Sequence, residues 1–302
     1  MMRIALATCD SVPDWEVDDV PLHEALDGLG IETAHPSWTD RSVDWSRFDG
    51  CLIRTTWDYA CQREAFVTWA ESAAAMTRLF NPARTVRWNT CKSYLRDLEA
   101  GGIPVIPTCW IEPGETPDLA TLMADRNWTR GFIKPRIGAT ARGTLRFDAT
   151  NEGLEQATRH LESLLATEAV MVQPYLSQVE QDGEWSGIFI NGEWSHAVRK
   201  IPQPGDFRVQ DDFGATDEAY TPSQEERSLA QQVINLLDTS PQWTGQAGGV
   251  PLLYARVDFL RDGDQSLLTE VELVEPSLFF RHAPSAGARL AKALVNRCQA
   301  PA

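Results

Sequence analysis

Long apolar runs are missing from this 302-residue sequence. No stretch approaches the roughly 18 to 20 apolar residues that a membrane-spanning helix needs. The apolar start of the chain breaks at Asp10, too early for a signal peptide. The six cysteines have no CxxC spacing and the five histidines have no ligand spacing, which argues against a disulfide framework and a zinc site. These absences predict a soluble, cytoplasmic protein with reduced thiols and no membrane partner.

Positive charge is also scarce. The chain has 27 lysine and arginine residues against 43 acidic residues, for a formal net charge of -16. Such a surface repels a phosphate backbone, so no nucleic-acid partner is expected. A local basic cleft for a small anion remains compatible with this charge.

Three common signatures of nucleotide-binding and catalytic folds are absent. The sequence has no GxxxxGKS/T phosphate loop, no GxGxxG after a strand and no GxSxG nucleophile elbow. P-loop nucleotidases, Rossmann dehydrogenases and α/β serine hydrolases are therefore excluded.

The first 88 residues show the alternation of an α/β domain. Short apolar strands at Ile4–Ala7 and in GCLIRTTWDY are each followed by a helical pattern, which predicts a small doubly wound domain. Because open α/β sheets bind ligands at the carboxyl ends of their strands, Arg54, Trp57 and Asp58 are candidate substrate residues. Ordinary loop chemistry is the alternative interpretation.

A predicted hairpin near the C-terminus carries paired acids. Arg256 and Asp258 lie two apart on its first strand, and alternation puts them on one face. Glu270 and Glu272 are related in the same way on the second strand. A turn centred on Asp264 would place Asp258 opposite Glu270, where two like charges favour a bound cation such as Mg²⁺. The alternative is a solvated hairpin face, and a one-residue slip in register would separate the acids.

Two basic segments lie in this otherwise acidic chain. Lys134 precedes the loop RIGATARGT, whose backbone N–H groups are suited to surround phosphates while the lysine neutralises them. Lys200, Arg208 and Gln210 lie in a second segment, where local positive charge suggests a bound anion. A plain hairpin connection and a surface ion-pair cluster are the alternatives.

In their order, these segments resemble the ATP-grasp superfamily from Trp88 to the C-terminus. The segments that look like motifs of its glutathione synthetase and ribosomal-protein-modification branch are GFIKPRIGATARGT, MVQPYL, GEWSGIFINGEWSHAVRK, GDFRVQDDFGA, RVDF and TEVELVEPS. The resemblance implies an α/β (α+β) chain with the ATP-grasp fold. A doubly wound N-terminal domain at 1–88 would precede two α+β subdomains, 89–172 and 173–302, that clamp the nucleotide.

The resemblance also implies residue roles. The implied cofactor-binding residues are Lys92, Lys134, Gln173, Pro174, Tyr175, Leu176, Glu184, Arg208 and Gln210. Among these, Lys92 and Lys134 would contact the phosphates, Gln173–Leu176 would read adenine through the backbone, and Glu184 would hold the ribose. The implied metal ligands are Asp258, Glu270 and Glu272, and the catalytic residues are Lys200, Arg208 and Arg256. Ser277, in EPSLFF, joins the substrate candidates.

The chain departs from the family pattern in three places. Glu272 stands where most members have asparagine, which adds negative charge and suits a site with two Mg²⁺ ions. Ala215 replaces a glycine after GDFR, and 140–142 replace a more glycine-rich loop. The change at 140–142 lies in the loop after Lys134, which we expect to close as a lid over the nucleotide.

The implied activity is that of an ATP-dependent carboxylate–amine ligase. ATP would activate a carboxylate as an acyl phosphate, which an amine then attacks, with Mg²⁺ or Mn²⁺ as the metal and a small molecule as the partner. RTTWDY and EPSLFF look most like a small bacterial subgroup that includes the ligase closing the ring of cycloserine, which favours ring closure within one amino-acid-like molecule. The alternatives are a ligase that adds amino acids to a peptide or protein and a non-catalytic ATP-binding regulatory protein. A homodimer is one assembly that the resemblance allows.

Overall fold

Three β-sheets organise the chain. The computed structural model describes residues 1–12, 16–246 and 249–300. Within these residues the strands form two sheets of four strands and one of five. No helix in this part of the chain combines the length and apolarity needed to cross a membrane.

The first sheet is parallel and is built from the N-terminal residues. Its strand order is β2-β1-β3-β4. The strands are β1 (Arg3–Thr8), β2 (Glu32–Ala34), β3 (Gly50–Thr55) and β4 (Leu79–Phe80), and the helices are α1 (Val20–Gly28) and α2 (Arg63–Met76). All of β3 is buried, as expected for a parallel sheet covered on both faces. The predicted alternation of strand and helix is confirmed, while the domain boundary at Trp88 stays a prediction.

The second sheet is antiparallel, with the order β5-β8-β6-β7. Two short helices lead into it, α3 (Ala83–Asn89) and α4 (Tyr94–Ala100). Its elements are β5 (Cys109–Ile111), α5 (Leu119–Asp125), β6 (Arg130–Pro135), β7 (Leu145–Asp148), α6 (Asn151–Leu165) and β8 (Val170–Pro174). Thr150 caps α6 by accepting a hydrogen bond from the Gly153 N–H. The apolar face of α6 packs onto β6 and β8 in a core cluster drawn from this sheet and its helices.

The third sheet has five strands in the order β11-β10-β9-β12-β13. Its elements and the C-terminal helix are α7 (Val179–Asp182), β9 (Glu184–Ile190), β10 (Glu193–Ile201), β11 (Thr216–Tyr220), α8 (Gln224–Asp238), α9 (Pro241–Thr244), β12 (Tyr254–Asp262), β13 (Gln265–Glu272) and α10 (Ser285–Gln299). Helix α10 packs closely on α1, because a Cβ at Gly287 would lie 2.7 Å from the Pro21 backbone. Side chains of the first sheet, such as Leu52, share one core cluster with third-sheet side chains such as Ile188.

The β12–β13 hairpin has the predicted register, but a bulge is needed to produce it. Asp258 pairs with Glu270, as expected from a turn centred on Asp264. Closer to the turn the pairing shifts by one, because Asp262 pairs with Gln265. Thr269 is the extra residue that absorbs the shift.

Buried amides tie the first sheet to the third. Asn81 donates to the Tyr254 and Leu273 carbonyls at 2.9 and 2.8 Å and accepts from the Leu253 N–H. Asn89, at the end of α3, donates to the Val271 carbonyl and accepts from the Leu273 N–H, both at 2.8 Å. Asn89 ends α3 and does not cap α4, whose N-cap position is Ser93.

Candidate active site

A cleft of about 420 Å³ lies between the second and third sheets, with residues of the N-terminal domain at one end. Strands β6 and β8 form one wall, and β9, β10, β12 and β13 form the other. Among the predicted site residues, those that line it are Trp57, Lys92, Lys134, Gln173, Pro174, Tyr175, Leu176, Glu184, Lys200, Arg208, Gln210, Arg256, Asp258, Glu270, Glu272 and Ser277. Residues far apart in the sequence thus meet in one crevice.

Asp258 is the most deeply placed acid of the hairpin. Only 2% of its surface is exposed. Arg256 Nη2 lies 2.9 Å and Lys200 Nζ 3.0 Å from its carboxylate. Burial alone would raise the pKa of Asp258, but attraction to Arg256 and Lys200 outweighs burial and holds that pKa well below its usual range. Asp258 is therefore ionised and fixed in place.

The other two predicted metal acids also have basic partners. Lys92 Nζ lies 2.7 Å from a Glu270 oxygen, and Arg256 pairs with Glu272. Burial raises the pKa of Glu272 to about 7, against the attraction of Arg256. Among the described residues, no three acid, histidine or cysteine side chains are arranged closely enough to hold a metal ion.

The three acids, which are predicted to converge on divalent ions, each lie beside a basic side chain. The acids share one cleft, but lysine and arginine side chains separate and neutralise them. Their chemistry still fits Mg²⁺, because carboxylate oxygens are the hard ligands that this ion prefers. Their assignment as metal ligands stays a prediction.

Lys134 and the loop after it lie over these acids. Burial lowers the pKa of Lys134 to about 8, although Glu270 acts in the opposite direction. Lys92 donates to the Gly138 carbonyl at 2.9 Å, so one ammonium group contacts both the loop and Glu270. Thr140 has a φ of 49°, in the left-handed region that favours glycine, at a position where the family has a more glycine-rich loop.

The predicted adenine hinge begins at the C-terminal end of β8, an interior strand of the second sheet. Gln173 donates to the Thr108 hydroxyl at 2.8 Å, and the Tyr175 N–H donates to the Arg130 carbonyl. On the facing wall, Glu184 pairs with Lys200. The hinge and the predicted ribose acid are thus both held by side chains or backbone of their own wall.

The loop between β10 and β11 brings two further predicted residues to the cleft. Arg208 forms an ion pair with Asp206 at 2.6 Å and stacks over the Phe213 ring, 3.9 Å from its centroid. The side-chain oxygen of Gln210 is buried without a hydrogen-bond partner among the described residues. The Arg208 guanidinium can face an anion here, whereas the Gln210 oxygen is an acceptor and would be satisfied by a hydrogen-bond donor.

The predicted substrate residues divide into two groups. Trp57 lines the cleft with 37% of its surface exposed, and its indole N–H donates to the Glu275 carbonyl at 3.1 Å. Ser277 also lines the cleft and donates to Asp18 at 3.2 Å.

Arg54 and Asp58 are not among the residues that line the cleft, and their assignment to the substrate stays a prediction. Arg54 makes a buried two-point ion pair with Asp19, at 2.9 and 2.7 Å. Asp58 accepts a hydrogen bond from the Trp38 indole at 2.7 Å. Both side chains are engaged within the N-terminal domain.

Several cleft residues were not identified from the sequence. These are Glu16, Asp18, Phe132, Phe207, Glu275, Phe279 and Arg281. Burial, together with Glu272 and Glu270, raises the pKa of Glu275 to about 8. Glu275 follows the last hairpin acid by three residues, and this spacing was the sequence feature that could have identified it as a cleft residue. Asp18 and Arg281 pair at 3.0 Å across 263 positions of sequence, which no local pattern reveals.

Two family models match parts of the chain. The model described as D-cycloserine synthetase DcsG, N-terminal domain, matches residues 4–81. The model described as prokaryotic glutathione synthetase, ATP-grasp domain, matches residues 120–243.

Individual proteins match over nearly the whole chain. The cycloserine biosynthesis protein DcsG of Streptomyces lavendulae is 34% identical over 93% of this chain and 94% of that protein. The crystal structure of D-cycloserine synthetase DcsG superposes with a TM-score of 0.86 at 32% identity, covering 98% of this chain and 100% of that one.

A more distant structure has the same fold. D-alanine–D-alanine ligase from Bacillus anthracis, solved with ATP, superposes with a TM-score of 0.69 at 15% identity, covering 99% of this chain and 97% of that one. The predicted α/β ATP-grasp fold is confirmed. The chain belongs to the ATP-grasp family, in the DcsG group, and is an ATP-dependent carboxylate–amine ligase of a family that uses Mg²⁺.

Proposed function

We propose that this ligase activates the carboxylate of a small amino-acid-like molecule and closes it into a ring through a nitrogen of the same molecule, as in cycloserine formation. The observation that carries the proposal is the match to DcsG across the N-terminal domain as well as the ATP-grasp part. That domain contributes Trp57 to the cleft, next to the segment that contains Ser277. Trp57 and Ser277 would select the substrate.

Lys92, Lys134, Arg208 and Arg256 would align and neutralise the triphosphate. A substrate carboxylate oxygen attacks the γ-phosphorus, and the bond from that phosphorus to the bridging oxygen of ADP breaks. Charge spreads over the phosphoryl oxygens in this step, so fixed cations stabilise the transition state. Arg256 is suited to this role because Asp258 and Glu272 hold its guanidinium in place.

Asp258, Glu270 and Glu272 would hold two Mg²⁺ ions, with Mn²⁺ as an alternative. When bound, these ions neutralise the β- and γ-phosphate oxygens. Lys200 would hold the carboxylates of Asp258 and Glu184 in position through its ion pairs with both. Gln173–Leu176 would contact the adenine.

In the second step the nitrogen attacks the carbonyl carbon of the acyl phosphate. The carbon–oxygen bond to phosphate breaks, and the nitrogen loses a proton. Arg208 and Gln210 would face the phosphate and the oxyanion, and the 136–144 loop would exclude water that otherwise hydrolyses the acyl phosphate.

The proposal includes further predictions from the sequence. The subdomain limits are 1–88, 89–172 and 173–302, the location is cytoplasmic, and neither a nucleic acid nor a membrane is a partner. The six free cysteines are in keeping with a reducing compartment. A homodimer is the assembly to test by sedimentation.

An ADP-release screen tests the function. D- and L-amino acids and their O-substituted hydroxylamine-type analogues would be supplied with ATP and Mg²⁺, and products analysed by mass spectrometry. We expect turnover with one molecule that carries both the carboxylate and the nitrogen, and no ATP consumption by Asp258→Asn. Turnover that needs a peptide acceptor would instead indicate a peptide-modifying ligase, and ATP binding without turnover would indicate a regulatory protein.

Limited proteolysis tests the lid. The 136–144 loop contains Arg136 and Arg142, which are trypsin sites. We expect ATP with Mg²⁺ to protect them. Cutting at an unchanged rate would contradict closure of this loop over the nucleotide.

A further inference from the structure

The loop between β10 and β11 is fastened across the cleft to the opposite sheet. This loop, residues 202–215, belongs by sequence to the third sheet. Its Phe207 packs edge-on against Phe132 of β6, with ring centroids 5.2 Å apart. It also packs edge-on against Tyr175, directly after β8, at 6.2 Å. Both partners lie on the second sheet.

Arg146 of β7 completes this contact. Its guanidinium lies 5.4 Å from the Tyr175 ring centroid and 5.5 Å from that of Phe207. The same group donates to the Gly205 carbonyl at 3.4 Å and to the Tyr175 hydroxyl at 3.3 Å. We call Phe132, Arg146, Tyr175 and Phe207 the aromatic clamp.

The clamp holds the loop immediately beside its two functional residues. Residues 203–205 are exposed, so the loop has little packing of its own on that side. Arg208 follows Phe207 directly, and Gln210 lies two residues further on with its side-chain oxygen buried. Tyr175 belongs to the predicted adenine hinge. A single ring therefore joins the hinge to the residues that face the phosphates.

We propose that Phe207 is a positioning residue, which fixes the 202–215 loop to the second sheet and so places Arg208 and Gln210 on the transferred phosphoryl group. Movement of the second sheet then carries these two side chains with it. The inference rests on the roles proposed above for Arg208 and Gln210. Aromatic edge-to-face contacts and a guanidinium over a ring are specific enough in geometry to transmit such a position.

The test compares Phe207→Leu, Phe207→Tyr and Arg146→Gln in the full chain. Phe207→Leu should lower kcat roughly 10- to 100-fold, because small displacements of positioned groups are costly to catalysis. Its Kd for ADP with Mg²⁺ should stay within about twofold, since the defect lies in the transition state. Phe207→Tyr keeps the ring and should restore kcat. Arg146→Gln should act in the same direction, and the double variant Phe207→Leu with Arg146→Gln should be no worse than Phe207→Leu alone.

Hydrogen exchange provides a readout that does not depend on turnover. Amides of 205–210 should exchange roughly tenfold faster in Phe207→Leu than in the unmodified chain, because the loop loses its anchor. The control is Arg96→Gln, which removes a guanidinium lying 4.5 Å from the Trp110 centroid elsewhere in the molecule and should change neither readout. Equal losses in ADP affinity and in kcat/KM would make Phe207 a nucleotide contact and overturn the proposal, as would unchanged exchange. If no substrate gives turnover, the proposed function fails. Hydrogen exchange then still tests whether Phe207 anchors the 202–215 loop.

Discussion

The hydroxyl of Thr269 donates to the backbone carbonyl of Asp258 at 2.9 Å. The same hydroxyl lies 3.2 Å from a carboxylate oxygen of Glu184. Thr269 is the bulge residue of the hairpin, so one small side chain holds the register and joins the predicted metal acid to the predicted ribose acid.

Thr269→Val keeps the branched shape and removes the hydroxyl. We expect the free energy of unfolding to fall by about 1–2 kcal/mol, because a buried carbonyl loses its donor, and the KM for ATP to rise. Thr85→Val is the matched control, since buried Thr85 donates to the Thr244 carbonyl at 2.7 Å far from the cleft. It should lose similar stability, measured by urea unfolding, with an unchanged KM. Equal KM values for both variants would contradict a role of Thr269 in the site.

Glu272→Asn should lower the ligase activity less than Glu270→Gln does. Asparagine is the common residue of the family at position 272 and keeps an oxygen ligand, so we expect activity within about tenfold of the unmodified chain. Glu270→Gln also removes the partner of Lys92, and should lower activity by about 100-fold or more. The Mg²⁺ concentration for half-maximal ADP release should rise in both. A reversed order would contradict the assignment of Glu270 as a ligand.

Arg54→Met and Trp57→Leu should separate stability from substrate binding. Arg54→Met leaves the buried Asp19 without its partner, which should cost about 3–5 kcal/mol of unfolding free energy. Trp57→Leu changes a partly exposed side chain, so its stability should stay within about 0.5 kcal/mol, while the KM for the small substrate rises. Urea unfolding and steady-state kinetics measure the two effects. A stable Arg54→Met protein with a raised substrate KM would instead support the predicted role of Arg54 as a substrate residue.

His23 should make the fold sensitive to acid. Burial and the nearby His35 and Arg54 lower the pKa of His23 to about 4, against the attraction of Asp19. Between pH 6.5 and about 4 the unfolded chain binds a proton at this position that the folded chain does not, so stability falls as the pH falls. After allowance for partial exposure, we expect a loss of about 1–2 kcal/mol across this range.

His23→Gln should remove that pH-dependent loss. Thermal unfolding at about pH 7.5 and pH 5 measures it, with His160→Gln in helix α6 as the control. An undiminished loss in His23→Gln would assign the acid sensitivity to other groups.

Local patterns in the sequence predicted the parts of the fold that depend on neighbouring residues. Apolar periodicity gave the helices and strands, and a turn centred on Asp264 gave the pairing of Asp258 with Glu270. The turn itself was placed slightly wrong, and the bulge at Thr269 restores the expected pairing. A bulge depends on contacts across strands, so it leaves little trace in one strand's sequence.

The rest of the site depends on contacts between distant segments. Arg54 occupies a strand end where a substrate residue was expected, yet Asp19 binds it from 35 positions away. The lysine and arginine partners of the three acids come from several elements. Which acid each of them pairs with depends on how those elements pack, and no local sequence pattern predicts it. Family resemblance supplied the site residues in the ATP-grasp part. In the less recognisable N-terminal domain, only Trp57 of the three candidates lines the cleft.

The distribution of core clusters has a mechanical consequence. The first and third sheets share one apolar interior and the Asn81 and Asn89 contacts, whereas most of the second sheet's apolar side chains form a separate interior, with Met171 of β8 packed in the third-sheet core. We expect the first and third sheets to unfold together as one cooperative unit, and the second sheet to unfold locally at a lower free energy. We therefore expect the second sheet to move as a rigid body relative to the joined first and third sheets, in a shear or hinge displacement that leaves the separate interior of the second sheet intact.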